Sequence, residues 1–177
     1  MFGALKGNST DKKDVLDTFL FRAINSCAKK STLLAKSMIV TSNYGRYLYA
    51  LVTIFLFFTK QSRKVSLHIA ASSCLSLLAT FLIKILSFKP RPFMTHRVHM
   101  LLPPKHDSTF PSKHAILAFS VSSTLLFSKR ILGYCMTALS IITGVSRIWV
   151  GHHYPSDIIG SAMLGTLSSW VVNKYWN

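Results

Sequence analysis

The sequence contains no glutamate. Its acids are Asp11, Asp14, Asp17, Asp107 and Asp157, five against 21 Lys+Arg, and only two lie beyond residue 17. So few carboxylates argue against magnesium-dependent chemistry, which needs oxygen ligands. Cysteine is also scarce. Cys27, Cys74 and Cys135 are widely spaced, odd in number and without a CxxC pair, which argues against a disulfide framework or a zinc site. Cys74 and Cys135 fall in apolar runs, where the thiol serves as a small hydrophobe. A secretory leader is not expected. Lys6, Lys12 and Lys13 could begin one, but Val15 to Cys27 is interrupted by Asp17, Arg22 and Asn25 and ends in Lys29-Lys30 rather than a small-residue cleavage site. No internal repeat of the kind that builds transporters is detectable.

What is present is an unusual pairing. Half of the 177 residues are hydrophobic, yet the net charge is +16, and the mean hydropathy is +0.36. Disordered chains are charged but poor in apolar residues, and nucleic-acid modules rarely carry long apolar runs. The composition predicts a membrane protein with basic ends and loops.

The expected fold is all-α, an integral membrane helical bundle of about five spans plus an N-terminal amphipathic helix. Residues 1–30 form the tail and that helix, and residues 31–177 the membrane domain. The candidate spans run from roughly Ser37 or Tyr44 to Thr59, Val65 to Leu86, Ala115 to Ser128, Ile131 to Val145 and Ile158 to Val172. The third and fourth are short for a bilayer core that takes about 20 residues. Val15, Leu16, Phe19, Leu20, Ala23, Ile24 and Cys27 recur at helical spacing, with Asp14, Asp17, Arg22 and Asn25 on the other face. That pattern suits a helix lying in the interface. Arg46 is costly if the first span begins at Ser37 and snorkels if it begins near Tyr44; both starts stay open. The short loops with Lys60, Arg63 and Lys64, with Lys129 and Arg130, and the end with Lys174 fall on one side, the cytoplasmic one by charge. The Phe55, Phe57 and Phe58 run is expected to face lipid, and Trp170, Tyr175 and Trp176 to form an interfacial belt.

The other side holds residues 87–114 and 146–157, and with them six of the seven histidines. Crossing parity gathers Lys84 to Pro92, Pro111 to His114 and Ser146 to Asp157 at one face. Converging cations suit a multiply charged anion, most commonly phosphate. Two histidines near it can supply a nucleophile and a general acid. If a helix begins near Tyr154, Asp157 can reach the His153 ring and fix its tautomer, leaving the other nitrogen free to attack phosphorus.

Three motifs carry a resemblance. Lys84 through Arg91-Pro92, Pro111-Ser112-Lys113-His114, and Ser146-Arg147 through His153 to Asp157 resemble, in order and spacing, KxxxxxxRP, PSGH and SRxxxxxHxxxD of the type-2 phosphatidic acid phosphatase superfamily. The resemblance covers roughly residues 60–165. It implies His153 as nucleophile, Asp157 as its orienting partner, and His114 as general acid and then base. It implies phosphate binding by Lys84, Arg91, Arg147, Ser112 and the Lys113 amide, with neither metal nor other cofactor. Lys113 stands where glycine is commonest, and its charge would suit a diphosphate.

A narrower resemblance rests on Lys89 to Phe93, His96 and His99, Asp107 to His114 and Ser146 to Pro155. These resemble the bacitracin-resistance type of undecaprenyl-pyrophosphate phosphatases. The implied activity is hydrolysis of undecaprenyl diphosphate at the outer face of a bacterial plasma membrane, recycling the cell-wall lipid carrier. The implied partners are a polyprenyl diphosphate substrate and membrane lipids, not nucleic acid. A phosphatidic acid or phosphatidylglycerophosphate phosphatase is the alternative within the enzyme class. An antibiotic transport permease component and a non-catalytic lipid-binding relative are alternatives outside it. Lys89, Arg97 and Lys105 read equally well as headgroup anchors. His96, His99 and His106 read as surface residues, His152 as a neighbour of the nucleophile, and Ser146 as a support for Arg147.

Overall fold

The computed structural model describes residues 10–29, 32–96 and 98–176. Lys6, Lys30 and Arg97 lie outside the described residues, as do the side chains of Lys12, Lys13 and Lys29. The order is α1 (Thr10–Ser26), α2 (Thr32–Phe58), α3 (Arg63–Leu86), α4 (Pro92–Thr95), α5 (Lys113–Ser128), α6 (Arg130–Trp149) and α7 (Pro155–Tyr175), with no strand among the described residues. The all-helical expectation holds.

Helix boundaries follow local chemistry. The residue before a proline disfavours the α conformation, so α3 cannot run past Phe88, and it stops at Leu86. Proline is tolerated at the first helical position, where its missing N–H costs nothing, and Pro92 and Pro155 open α4 and α7. The helix that carries the first candidate span starts earlier than either start considered above. Helix α2 begins at Thr32, so Arg46 lies in its middle rather than at its end.

Helix α5 is the centre of the bundle and packs on α7, α6, α3 and α2. It is only 16 residues, about 24 Å long. Two close approaches need glycine. A Cβ at Gly165 of α7 would stand 2.5 Å from the Ile116 carbonyl of α5, and one at Gly133 of α6 would stand 2.5 Å from the Leu126 amide.

The radial distribution of side chains is inverted relative to a water-soluble domain. Small polar groups fill the interior, including Ser72, Thr124, Ser140, Ser161 and Ser169, each buried. They bond to one another across helices. The Thr124 hydroxyl meets Ser72 at 3.1 Å and Ser169 at 2.8 Å, and Tyr49 meets Ser140 at 3.1 Å. Large apolar side chains point outward, among them Leu51, Phe55, Phe58, Phe81, Ile85, Ile131, Ile159 and Met163. Such packing by small residues and interhelical hydroxyl bonds belongs in lipid, where apolar groups gain nothing by facing inward. Two helical stretches, Lys60–Leu86 and Arg130–Trp149, are long and apolar enough by themselves to cross a membrane.

Helix α1 docks through Phe21 and Asn25, leaving its apolar stripe outward and Asp14 and Arg22 of its polar face exposed. Val15, Leu16, Phe19 and Leu20 are exposed, while Phe21 and Asn25 are buried. The Asn25 amide donates to the Trp149 and His99 carbonyls, both at 2.9 Å, and accepts from the His99 N–H at 3.0 Å. Backbone groups at the end of α6 and in the loop at His99 thus find partners in one side chain.

Candidate active site

The C-terminal end of α3, the loop through α4, the start of α5, the end of α6 and the start of α7 meet at one end of the bundle. All eight residues that the sequence analysis singled out lie on these elements: Lys84, Arg91, Ser112, Lys113, His114, Arg147, His153 and Asp157.

His153 and Asp157 are both buried, but they do not touch. Nδ1 and Oδ2 are 3.9 Å apart. The buried Thr109 hydroxyl stands between them, 3.2 Å from His153 Nδ1 and 2.7 Å from Asp157 Oδ2. A carboxylate only accepts, so Thr109 donates its single proton to Asp157 and accepts from Nδ1–H. Nε2 is then the bare nitrogen. Asp157 is further held by the Tyr154 N–H at 2.9 Å, which ties it to the start of α7, and by Lys89 Nζ at 2.8 Å. Burial first, then the charges of Arg147 and Arg91, hold the His153 ring well below the usual histidine pKa. The ring is therefore neutral at physiological pH.

The cations are organised by Asp107. Its carboxylate accepts from Lys84 Nζ at 2.9 Å and from Arg91 Nη2 at 2.6 Å. Burial alone would raise the Asp107 carboxyl, but these bonds and charges outweigh it and hold the pKa at about 2. Lys84 also donates to the Ser108 carbonyl at 2.6 Å, and Arg91 Nη1 to the His152 carbonyl at 2.9 Å. Few as they are, the acids neutralise part of this cluster: Asp107 pairs two of the cations and Asp157 pairs Lys89.

Arg147 is held differently. Nη1 donates to Ser42 of α2, and Nη2 donates to His152 Nδ1 at 2.8 Å. A guanidinium has no acceptor, so His152 carries its proton on Nε2 and donates it to the Pro103 carbonyl at 3.2 Å. Burial, then Arg147 and Arg91, lower the His152 pKa to about 4. His152 is thus an orienting acceptor for Arg147 rather than a bystander.

Two polar atoms in this cluster lack partners among the described residues, the Ser112 hydroxyl and Arg147 Nε, and both are buried. Ser112 precedes α5 without capping it. The first N–H groups of a helix, Lys113 included, have no intrahelical acceptor. Unpaired donors, a helix N-terminus and several cations together make an anion site. The Lys113 side chain itself is exposed.

Helix α1 closes one flank. Asp17 accepts from the Ser156 N–H at 2.9 Å and from the Ser156 hydroxyl, and it lies 3.6 Å from Lys89 Nζ. Lys89 is therefore a link between α1 and Asp157. His96 lines the cavity beside Asp17 and Lys89, and His106 packs edge-on against Phe93. Sequence reasoning missed Thr109, Ser42 and the use of Asp107. Thr109 sits just before the PSKH motif, a proximity that could have flagged it. Ser42 had no signal, being 105 residues from its partner.

Fold and site together define a helical phosphate-handling membrane protein, and comparison with known proteins names the class. Residues 65–177 match the PAP2 superfamily model, so the chain belongs to that family. It is 35% identical over 158 residues to undecaprenyl-diphosphatase BcrC of Bacillus subtilis, covering 88% of this chain and 82% of the relative. It is 28% identical to an undecaprenyl-diphosphatase of Sulfolobus acidocaldarius, covering 86% and 73%. The crystal structure of Aquifex aeolicus LpxE superposes with a TM-score of 0.81 at 25% identity, covering 90% of this chain and 96% of that one. The protein is a phosphatase of this superfamily.

Proposed function

We propose that the protein hydrolyses undecaprenyl diphosphate to undecaprenyl phosphate and inorganic phosphate through a phosphohistidine on His153. The observation that carries this reading is the neutral, buried His153, its Nδ1 engaged by Thr109 and Asp157 and its Nε2 left bare, set among Lys84, Arg91 and Arg147. The names of the relatives supply the lipid.

Nε2 attacks the terminal phosphorus in line with the bridging oxygen. The bond to that oxygen breaks, and His114, protonated once the substrate's negative charge lies beside it, gives it a proton. Undecaprenyl phosphate leaves. His114 then takes a proton from water, whose oxygen attacks phosphorus, and the phosphorus–nitrogen bond breaks to free phosphate. Lys84, Arg91, Arg147, the Ser112 hydroxyl and the Lys113 N–H stabilise the charge of both trigonal-bipyramidal transition states. The developing charge on His153 is stabilised through Thr109 by Asp157.

In the same reading α2, α3, α5, α6 and α7 are five spans, and residues 31–177 form the phosphatase domain. Residues 1–30 are an interfacial appendage. The basic short loops face the cytoplasm and the site faces outward in a bacterial plasma membrane. There the enzyme recycles the carrier lipid and removes the diphosphate that bacitracin captures. The test is phosphate release in detergent with excess chelator, undecaprenyl diphosphate against phosphatidic acid, with His153→Ala as control. Chelator-resistant release from the diphosphate, absent in the variant, is expected. Preference for phosphatidic acid would reassign the lipid, and release by His153→Ala would overturn the mechanism.

A further inference from the structure

Arg46 is a charge in the middle of the 27-residue helix α2. A guanidinium at such a position is expensive in a membrane and marks function. Among the described residues its Nη2 donates only to the neighbouring Tyr47 hydroxyl at 2.9 Å, and its carbon stands 4.8 Å over the Tyr47 ring. No described carboxylate pairs with it. Ser42, one turn earlier, holds Arg147, so this stretch of α2 is pinned at the level of the site.

Two cavities meet at Arg46. The first, about 410 Å³, is lined by Arg46, Lys105, Arg147, His114 and His152, and by no carboxylate among the described residues. The second, about 290 Å³, runs between α2, α3 and α5 and is lined by Ala50, Ile54, Ile69 and Val121, with Arg46 and His114 at its edge. Arg46 and His114 line both. One cavity is cationic, the next apolar, and the residue read as general acid stands at their junction.

We infer that Arg46, with Lys105, forms a second phosphate subsite on the leaving-group side of His114, and that the groove beside Ala50 and Ile69 takes the first isoprene units of a polyprenyl diphosphate. This rests on the phosphatase reading above and deepens it. The terminal phosphate sits toward Arg147 and His153. The phosphate bonded to the tail, which leaves with it, lies against Arg46 and Lys105, close to where His114 delivers its proton. A lipid with one phosphate leaves this subsite unused, so Arg46 supplies preference for diphosphates. Lys105, which the sequence reads equally well as a headgroup anchor, takes part in substrate binding instead.

The test uses the full chain in detergent, in a His153→Ala background that leaves ligands intact. Farnesyl diphosphate and farnesyl phosphate are titrated with and without Arg46→Gln. A charge-assisted pair of this kind corresponds to about tenfold to a hundredfold in affinity. Arg46→Gln is expected to weaken the diphosphate by that factor and leave the monophosphate nearly unchanged, with Arg46→Lys recovering part of the loss. Equal weakening of both ligands, or of neither, overturns the subsite. Ala50→Phe is expected to weaken both farnesyl ligands while inorganic pyrophosphate binds as before, and unchanged farnesyl affinity overturns the tail path. Phosphate release by the chain with His153 intact is measured alongside. Arg46-dependent diphosphate binding without any release would overturn the phosphatase reading and keep the subsite. Release without an Arg46 effect would do the reverse.

Discussion

The hydroxyl of Thr109 stands 3.2 Å from Nδ1 of His153 and completes its link to Asp157, whose carboxylate is 3.9 Å from that nitrogen and 2.7 Å from the hydroxyl. The carboxylate acts on the ring through an intermediate oxygen. Thr109→Val keeps the shape and removes the relay. It is expected to lower kcat by about ten- to a hundredfold with little change in KM, since a positioned proton partner contributes on that scale. Thr109→Ser is expected to retain most activity. Thr109→Val and Asp157→Asn together should cost far less than the product of their separate effects, because the two act as one unit. Additive losses in that cycle would show that Asp157 works independently of Thr109.

His114 is expected to matter in proportion to the leaving group. With the lipid diphosphate, His114→Ala should lower turnover by about a hundred- to ten-thousandfold. With p-nitrophenyl phosphate, whose leaving group needs no proton, the first step should survive. A stopped-flow burst of p-nitrophenolate followed by slow turnover is the expected record. The absence of a burst, with activity lost equally on both substrates, would remove His114 from the acid role.

Asp107 pairs Lys84 and Arg91, and in the proposed mechanism substrate must compete with it for both. Asp107→Asn removes the competing charge and keeps the shape. Inorganic phosphate, the product, is then expected to inhibit several-fold more tightly, by the order of one surface-facing charge pair, about 1 kcal/mol. Inhibition constants at fixed salt measure this, and weaker inhibition would mean that Asp107 chiefly holds the two cations in position.

Acid should destabilise the fold in a defined window. His152 ordinarily titrates near 6.5 but is lowered to about 4 here, and His153 is lowered too. Between those values the unfolded chain binds more protons than the folded one, so stability falls as pH drops from about 6.5 toward 4. The slope approaches about 1.4 kcal/mol per pH unit for each such histidine. A second loss follows from about 3.8 to 2, where Asp107 is protonated against its lowered pKa. Thermal unfolding in detergent across pH 8 to 4 should show the first slope, and His152→Gln should reduce it. A flat profile would contradict the burial of neutral rings.

Asn25 is one of two polar anchors of α1, the other being Asp17 on Ser156. Asn25 satisfies the Trp149 carbonyl and both backbone groups of His99. Asn25→Ala leaves them unpaired and should cost about 1–3 kcal/mol. Chemical denaturation with Trp149 fluorescence as the signal would measure it. A loss below a few tenths would mean that Phe21 and the Asp17–Ser156 bonds hold the helix without it.

Much of this protein is legible in the order of its residues. Apolar runs separated by lysine, arginine and proline dictate helices, because proline cannot continue one and lipid will not accept charge. Within each motif the spacing does local work: Asp157 caps the helix that begins at Pro155, four residues past His153. Such relations are set by the geometry of one helix or turn, so a single sequence suffices. Relations across the bundle are different. Ser42 against Arg147, Thr109 between His153 and Asp157, Asn25 against Trp149, and Arg46 at the junction of two cavities all depend on how each helix is rotated and where it slides. Helices α2, α3 and α5 carry apolar residues on much of their circumference, and periodicity alone leaves that rotation undetermined. The close approach of Gly165 to α5 and the interior hydroxyl bonds decide it, and those contacts exist only once the whole bundle has assembled.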